Sequence, residues 1–408
     1  MNSPLGSNLQ GELGFVFIYG VDTLDAAEIG KRFIEFESRF GRGGAIDTYF
    51  APGRINIIGE HTDYNGGKVL PIAIEQGTYM LIRKSELPPA RLYSENVDLD
   101  ARVFPAELTK QRDWADYVRG VYMFARKTCQ DLPPFDAFYF GDLPLDSGLS
   151  SSASLEVVTA AGFESLGCCM SKSEQVKVAR RAENDFVGVF CGVMDQFAVA
   201  MGKKGNAILL DCGSMDHRQV PFNIRDSVLV IGHTGIKRSL ATSEYNTRRH
   251  ECAEALRQLS AKVGPRANLV DVSISDFERT RYTIPETLAK RAEHVIYENT
   301  RVEEAARCLE RGDALTLGHL MNRSHESLRD LFEVSSPELD ALQEISLEQQ
   351  GVWGCRMTGA GFGGCVITLI KSENVERYLR RVPGFYWQAT HYDAEFIVTT
   401  PGEGAHKV

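Results

Sequence analysis

Two rhythms of apolar and polar positions alternate along this chain. Positions 26–40 follow a helical period, and a glycine-rich break at 41–44 closes them. Short runs of β type come next at 46–50, 55–58, 69–74 and 78–83, separated by Gly, Pro and Asn. Trp114, Tyr117, Val121 and Phe124 then recur at helical spacing. A strand is expected at 135–140, followed by a Gly/Ser loop and a helix over 155–166. Further helices are expected at 172–186, 239–259, 289–312 and 313–331, with buried strands at 207–210 and 228–231. A glycine-rich loop at 359–364, strands at 365–370 and 394–399, and a helix at 374–381 complete the pattern. Strand-rich and helix-rich blocks are partly segregated, which predicts α+β with mixed sheets rather than regular βαβ alternation.

The 408 residues suffice for two domains. The expected division is an extension at 1–30, an N-terminal domain at 31–222 and a C-terminal domain at 223–408. Apolar residues make up 43% and charged residues 25%, a globular balance. The formal charge of −10 argues against a nucleic-acid partner, which needs a basic face. Nine cysteines at irregular spacing read as reduced thiols, and without C-x-x-C no structural zinc is expected. The N-terminal apolar stretch lacks a basic lead, and no run nears the roughly 20 residues that span a bilayer. A cytoplasmic protein with no membrane partner is expected.

No G-x-x-x-x-G-K-[ST] is present. Instead Gly148-Leu149-Ser150-Ser151-Ser152-Ala153 lies between a strand and a helix. A helix N-terminus offers unpaired N–H groups and a positive dipole end, and small residues admit a polyphosphate. The bland alternative is a serine-rich cap, yet capping needs only one serine. Gly359-Ala360-Gly361-Phe362-Gly363-Gly364 matches G-x-G-x-x-G as a string, but it leads into a strand, so a dinucleotide fold is rejected. A tight turn and a backbone platform beside a ligand both remain open for it.

The densest polar cluster is the stretch from Gly53 to Gly67, with Glu60, His61 and Asp63 within four positions. Donors and acceptors packed into one turn suit a polyhydroxylated ligand. A polar turn with a structural histidine, or a metal pair, are the other readings. Asp195 stands in an apolar run, where a carboxylate is costly unless paired or functional. Arg54 is its natural partner.

Together these stretches resemble the GHMP superfamily of small-molecule kinases and, within it, the galactokinases. The resemblance spans roughly residues 46–403. It is carried by the motifs beginning at Pro52, Gly148, Cys191, Ser243 and Met357, the first and fourth being the most specific. It implies a two-domain kinase with its active site in the cleft between domains, transferring phosphate from Mg²⁺-ATP to the anomeric hydroxyl of galactose. By matching position, Asp195 is the implied base and Arg54 the charge stabiliser. Glu60, His61, Thr62, Asp63, Gly192 and Tyr245 are implied to hold the sugar. Leu145, Asp146, Ser147, Gly148, Leu149, Ser150 and Ser151 are implied to line the nucleotide phosphates, Ser151 and Glu183 to bind Mg²⁺, and Trp114 to lie near adenine. A monomer is expected.

Two departures stand out: Asp146, followed by Ser147, occupies a position where the family carries glycine, and residues 1–30 exceed what the family needs. Kinases of the same fold acting on N-acetylgalactosamine or a related sugar, and a non-catalytic sugar- and ATP-binding regulator, are the alternatives.

Overall fold

The computed structural model describes residues 17–18, 26–144, 148–236 and 241–408. Leu145, Asp146, Ser147 and most of the expected extension at 1–30 therefore lie outside the described residues.

Three sheets carry the chain. A six-stranded sheet has the order His406–Lys407, Asp47–Asn56, Pro71–Lys84, Phe135–Gly141, Ala90–Ser94 and Leu99–Val103. A five-stranded sheet has the order Phe17–Ile18, Glu395–Thr399, Ser227–His233, Cys365–Lys371 and Val352–Thr358. A small sheet joins Lys68–Val69, Asn206–Asp211 and His217–Pro221. Both larger sheets mix parallel and antiparallel pairs, as the α+β reading requires.

Four expected short strands are in fact mainly two long ones. Asp47–Asn56 pairs antiparallel with Pro71–Lys84, and the register shifts between Pro52 and Arg54. The bulge absorbs the proline and glycine that read as breaks. Gly77 continues its strand because a Cβ there would lie 2.3 Å from the Ala51 carbonyl. Near-continuous burial of Ile72, Ile74, Met80, Leu81 and Ile82 explains why these strands lack clean alternation. The helix Ser151–Gly162 packs on both strands and buries Val157 and Val158 in the core that holds Met80 and Ile82.

The helix Val375–Thr390 runs past its expected end despite Pro383, because Tyr378, Leu379, Val382 and Tyr386 are all buried along one face. The short helix Met194–Met201 has no sequence period of its own; it is buried on nearly every side. The expectation of nine reduced thiols is corrected: Cys129 and Cys168 form a disulfide, their Cα atoms 5.7 Å apart. The ends of two packed helical segments bring them together, which a separation of 39 residues does not reveal.

The hairpin Val352–Thr358 and Cys365–Lys371 presses against the end of strand Asp47–Asn56. At this seam the fully buried Arg356 donates through Nη1 to the carbonyls of Asn56 (2.9 Å) and Ile57 (3.1 Å). The glycine loop and the polar stretch after Asn56 are thereby brought side by side.

Candidate active site

Strand Asp47–Asn56 delivers Arg54 to the interior, 5% exposed. Its neighbour Gly53 is obligatory, since a Cβ there would sit 2.6 Å from Leu143 and 2.9 Å from the Leu149 carbonyl. That closeness lets the Arg54 N–H donate to the Leu149 carbonyl at 3.0 Å, docking the serine loop on the strand. The Arg54 side chain then binds two elements. Nε and Nη2 donate to Asp195 Oδ1 (2.8 Å) and Oδ2 (2.7 Å), while Nη1 donates to the Gly148 carbonyl (2.8 Å). Burial works against the guanidinium charge, but Asp195 and Glu60 outweigh it and hold the Arg54 pKa above its ordinary value.

The serine loop is not a capping device. Ser150 precedes the helix in a left-handed conformation (φ 62°) and its side chain caps nothing. Its hydroxyl donates to Asp195 Oδ2 at 2.5 Å. Ser152 donates to Glu183 Oε1 at 3.0 Å. The helix end beside Gly148, which also has positive φ (79°), has no side-chain cap for its first N–H groups, the arrangement that suits an anion.

The polar turn folds through Gly59 (φ 101°) and His61 (φ 63°) into a single helical turn at Asp63–Asn65. Glu60 Oε1 accepts from Thr358 Oγ1 (2.9 Å) and the Gly359 N–H (2.8 Å). His61 is buried and its pKa is lowered to about 3, by burial first and then by nearby His294. A neutral ring fits its partners: Nδ1 accepts from the Tyr64 hydroxyl (2.9 Å) and Nε2 donates to the Ala360 carbonyl (3.2 Å). The glycine loop is therefore both a turn and a platform, with Gly359 and Ala360 facing the cavity.

These elements enclose a cavity of about 480 Å³. Arg54, Glu60, His61, Asp63, Gly148, Ser150, Ser151, Glu183, Gly192, Asp195 and Tyr245 all line it. Asp63 is the perturbed acid: burial, then the charge of Asp195, raises its pKa to about 6. Glu183 is raised as well, by burial and then Asp195, and its partners Ser152, Gln196 and Cys191 are all neutral. An acid held among acids with neutral partners suits a cation that arrives with a ligand. Among the described residues no cluster of three His, Cys, Asp or Glu side chains could hold a metal ion. One carboxylate and serine hydroxyls do fit Mg²⁺, which keeps phosphate and water oxygens as its other ligands.

Three expected residues do not line this cavity. Thr62 is fully buried and spends its hydroxyl on the carbonyls of Gly59 and Lys68 inside its own turn. The Leu149 side chain belongs to a hydrophobic core, while its carbonyl accepts from the Arg54 N–H beside the site. Trp114 packs edge-on against Tyr139 beside the main core and does not line this cavity. Ser152, Cys191 and Asn246, which stand in the expected motifs without a role of their own assigned, also line the cavity. Glu156 and Gln196 stand directly behind Glu183. Glu156 carried the signal that exposed Asp195, a carboxylate inside an apolar run.

The galactokinase galactose-binding signature matches residues 34–84. The GHMP kinases N terminal domain matches residues 116–203 and GHMP kinases C terminal matches residues 305–386. The galactokinase of Fusobacterium nucleatum is 41% identical over 385 residues, 92% of this chain and 98% of that protein. That of Bacillus subtilis is 41% identical over 380 residues, 91% and 97% of the two chains. The crystal structure of Lactococcus lactis galactokinase complexed with galactose superposes with a TM-score of 0.89 at 38% identity, covering 93% of this chain and 100% of that one. The Methanococcus jannaschii mevalonate kinase shares the fold alone, at a TM-score of 0.64 and 18% identity over 88% of this chain and 98% of that one. A cavity that joins a paired aspartate, a serine loop at a helix end and a polar turn is thus found in a chain that belongs to the galactokinase family of the GHMP kinases.

Proposed function

We propose that this protein transfers the terminal phosphoryl group of ATP to the anomeric hydroxyl of galactose, giving galactose 1-phosphate. One observation carries the reading: Asp195, bound through both oxygens to Arg54, shares a cavity with Asp63 on one side and the serine loop on the other. Phosphoryl transfer needs in-line placement and neutralised charge more than covalent chemistry. Asp195 orients the sugar hydroxyl and takes its proton as the bond to phosphorus forms. Arg54 steadies that carboxylate and adds positive charge beside the transferred group. Glu60, Asp63, Gly192 and Tyr245 surround the sugar, while His61 braces the wall behind it. Gly148, Ser150 and Ser151 receive the phosphates at the helix end.

Glu183, with Ser151 or Ser152, would hold Mg²⁺; the ion would screen the phosphate charge. The solved Lactococcus lactis relative was crystallised with galactose, which favours that sugar over N-acetylgalactosamine. A monomer is the form we propose for this protein. We place the reaction in the cytoplasm, where ATP is supplied; no helix among the described residues is long and apolar enough to cross a membrane. The division near residue 222 fits the cavity's two walls, since the glycine loop comes from the later part and the serine loop from the earlier.

The test is ADP release measured across galactose, N-acetylgalactosamine, galacturonate, arabinose and mevalonate. Galactose is expected to give the highest kcat/KM. Binding of galactose and ATP without ADP release would replace the enzyme reading by that of a sensor.

A further inference from the structure

Behind the cavity wall lies a carboxyl group that the reaction above does not use. Glu156 sits in the middle of helix Ser151–Gly162, fully buried. Its Oε2 accepts from Gln196 Nε2 at 3.1 Å, and the same amide nitrogen donates to Glu183 Oε2 at 2.6 Å. Its other oxygen, Oε1, has no hydrogen-bond partner among the described residues. Such a group costs stability, because a buried polar atom left unpaired loses its water and gains nothing. A leucine or methionine would pack there more cheaply. What the carboxyl provides is a fixed acceptor that orients the Gln196 amide, and Gln196 adjoins Asp195 at the start of helix Met194–Met201.

We infer that Glu156 is a positioning residue: through Gln196 it sets the Glu183 carboxylate in the orientation that receives the Mg²⁺ of the nucleotide. The inference rests on the phosphotransferase reading and deepens it. Burial, and then the charge of Glu183, push the Glu156 pKa well above the carboxylate range. A neutral acid in this place explains how three carboxyl groups, those of Glu156, Glu183 and Asp195, coexist beside one another. It also means that a glutamine carries the same acceptor.

The full chain, saturated with galactose, is titrated calorimetrically with ADP alone and with Mg²⁺-ADP, in the parent, E156L and E156Q. The expected result is that E156L loses roughly tenfold in the Mg²⁺-dependent part of the affinity, as removal of a residue behind a metal ligand does. Affinity for ADP alone and the melting temperature hold or rise. E156Q restores the Mg²⁺-dependent part. Q196L breaks the same link from its other end, so it must reproduce the E156L result even if E156L fails to fold. Unchanged Mg²⁺ dependence in E156L or Q196L overturns the inference. So does an equal loss of both affinities with a lower melting temperature, which assigns Glu156 to the core alone. A parent protein that binds both ligands but releases no ADP from galactose and ATP would instead overturn the proposed reaction. The two failures are read separately.

Discussion

Gly192 lies so close to Asp63 that a Cβ built on it would meet the Asp63 Oδ2 at 1.7 Å and Cγ at 2.6 Å. No rotation of a methyl group relieves that overlap, so either the backbone at 192 or the acid must move. Both line the cavity. Gly192→Ala is therefore expected to lower kcat/KM for galactose by ~100-fold, the effect of an ångström-scale misplacement of a binding group. The KM for ATP should change far less. Steady-state kinetics with each substrate varied in turn checks this, and equal effects on both substrates would place the damage elsewhere.

Asp195 touches Arg54 through both oxygens and receives the Ser150 hydroxyl on Oδ2. Its side chain is still 27% exposed, toward the cavity. Asp195→Asn keeps the size and removes the proton acceptor. A loss of ~10²–10⁴-fold in kcat is expected, the ordinary contribution of a positioned base. Galactose binding, measured by calorimetry, should survive. Near-normal turnover would remove Asp195 from the reaction.

Much of this arrangement was legible in the sequence, and the reasons differ by residue. Asp195 and Arg54 were paired correctly because an ionised group in an apolar run must have a partner, and that rule is independent of distance along the chain. Asp63 and Glu60 line the cavity, where a turn crowded with donors and acceptors led the sequence reading to look. Thr62 was over-read: its type suits a sugar contact, but the turn consumes its hydroxyl. Trp114 is expected beside adenine from resemblance alone, and no spacing argument reveals its edge-on packing against Tyr139. The Ser152–Glu183 bond depends on how two helices meet, and the disulfide on how two segments end. Long-range packing of that kind leaves no local period. The breaks at Pro52 and Gly77 misled for the opposite reason, because a bulge and a close strand pairing absorbed them.

Asp63 ties stability to pH. Its folded-state pKa is raised to about 6, against about 4 for an unfolded carboxyl. The folded form thus holds the proton more tightly. The resulting stabilisation is fully present below pH about 4 and is lost as pH rises through 6. Relative to Asp63→Asn, the parent should lose on the order of 2 kcal/mol between pH 4 and 7, read from denaturant titrations of the unliganded protein. As the charged form is the better acceptor for a sugar hydroxyl, kcat/KM for galactose should fall with unit slope below pH about 6. The Asp63→Asn profile should lack that limb.

His61 runs the other way. Its pKa is lowered to about 3, whereas an unfolded histidine titrates near 6.5. The unfolded chain therefore binds the proton first, and stability falls as pH drops from about 6.5 toward 3. His61→Gln loses the bond from Tyr64, the bond to Ala360 or both, at about 1–2 kcal/mol near pH 7. On acidification the variant has no proton to gain at this position. The stability difference between parent and variant should therefore shift by on the order of 2–3 kcal/mol between pH 7 and 4, closing and then reversing in favour of the variant. His294, whose pKa is lowered to about 4, is present in both proteins and cancels in the comparison. A gap independent of pH would mean that His61 carries a proton in the folded state. In that case its Nδ1 could not accept from Tyr64, and the brace between the polar turn and the glycine loop would be built differently.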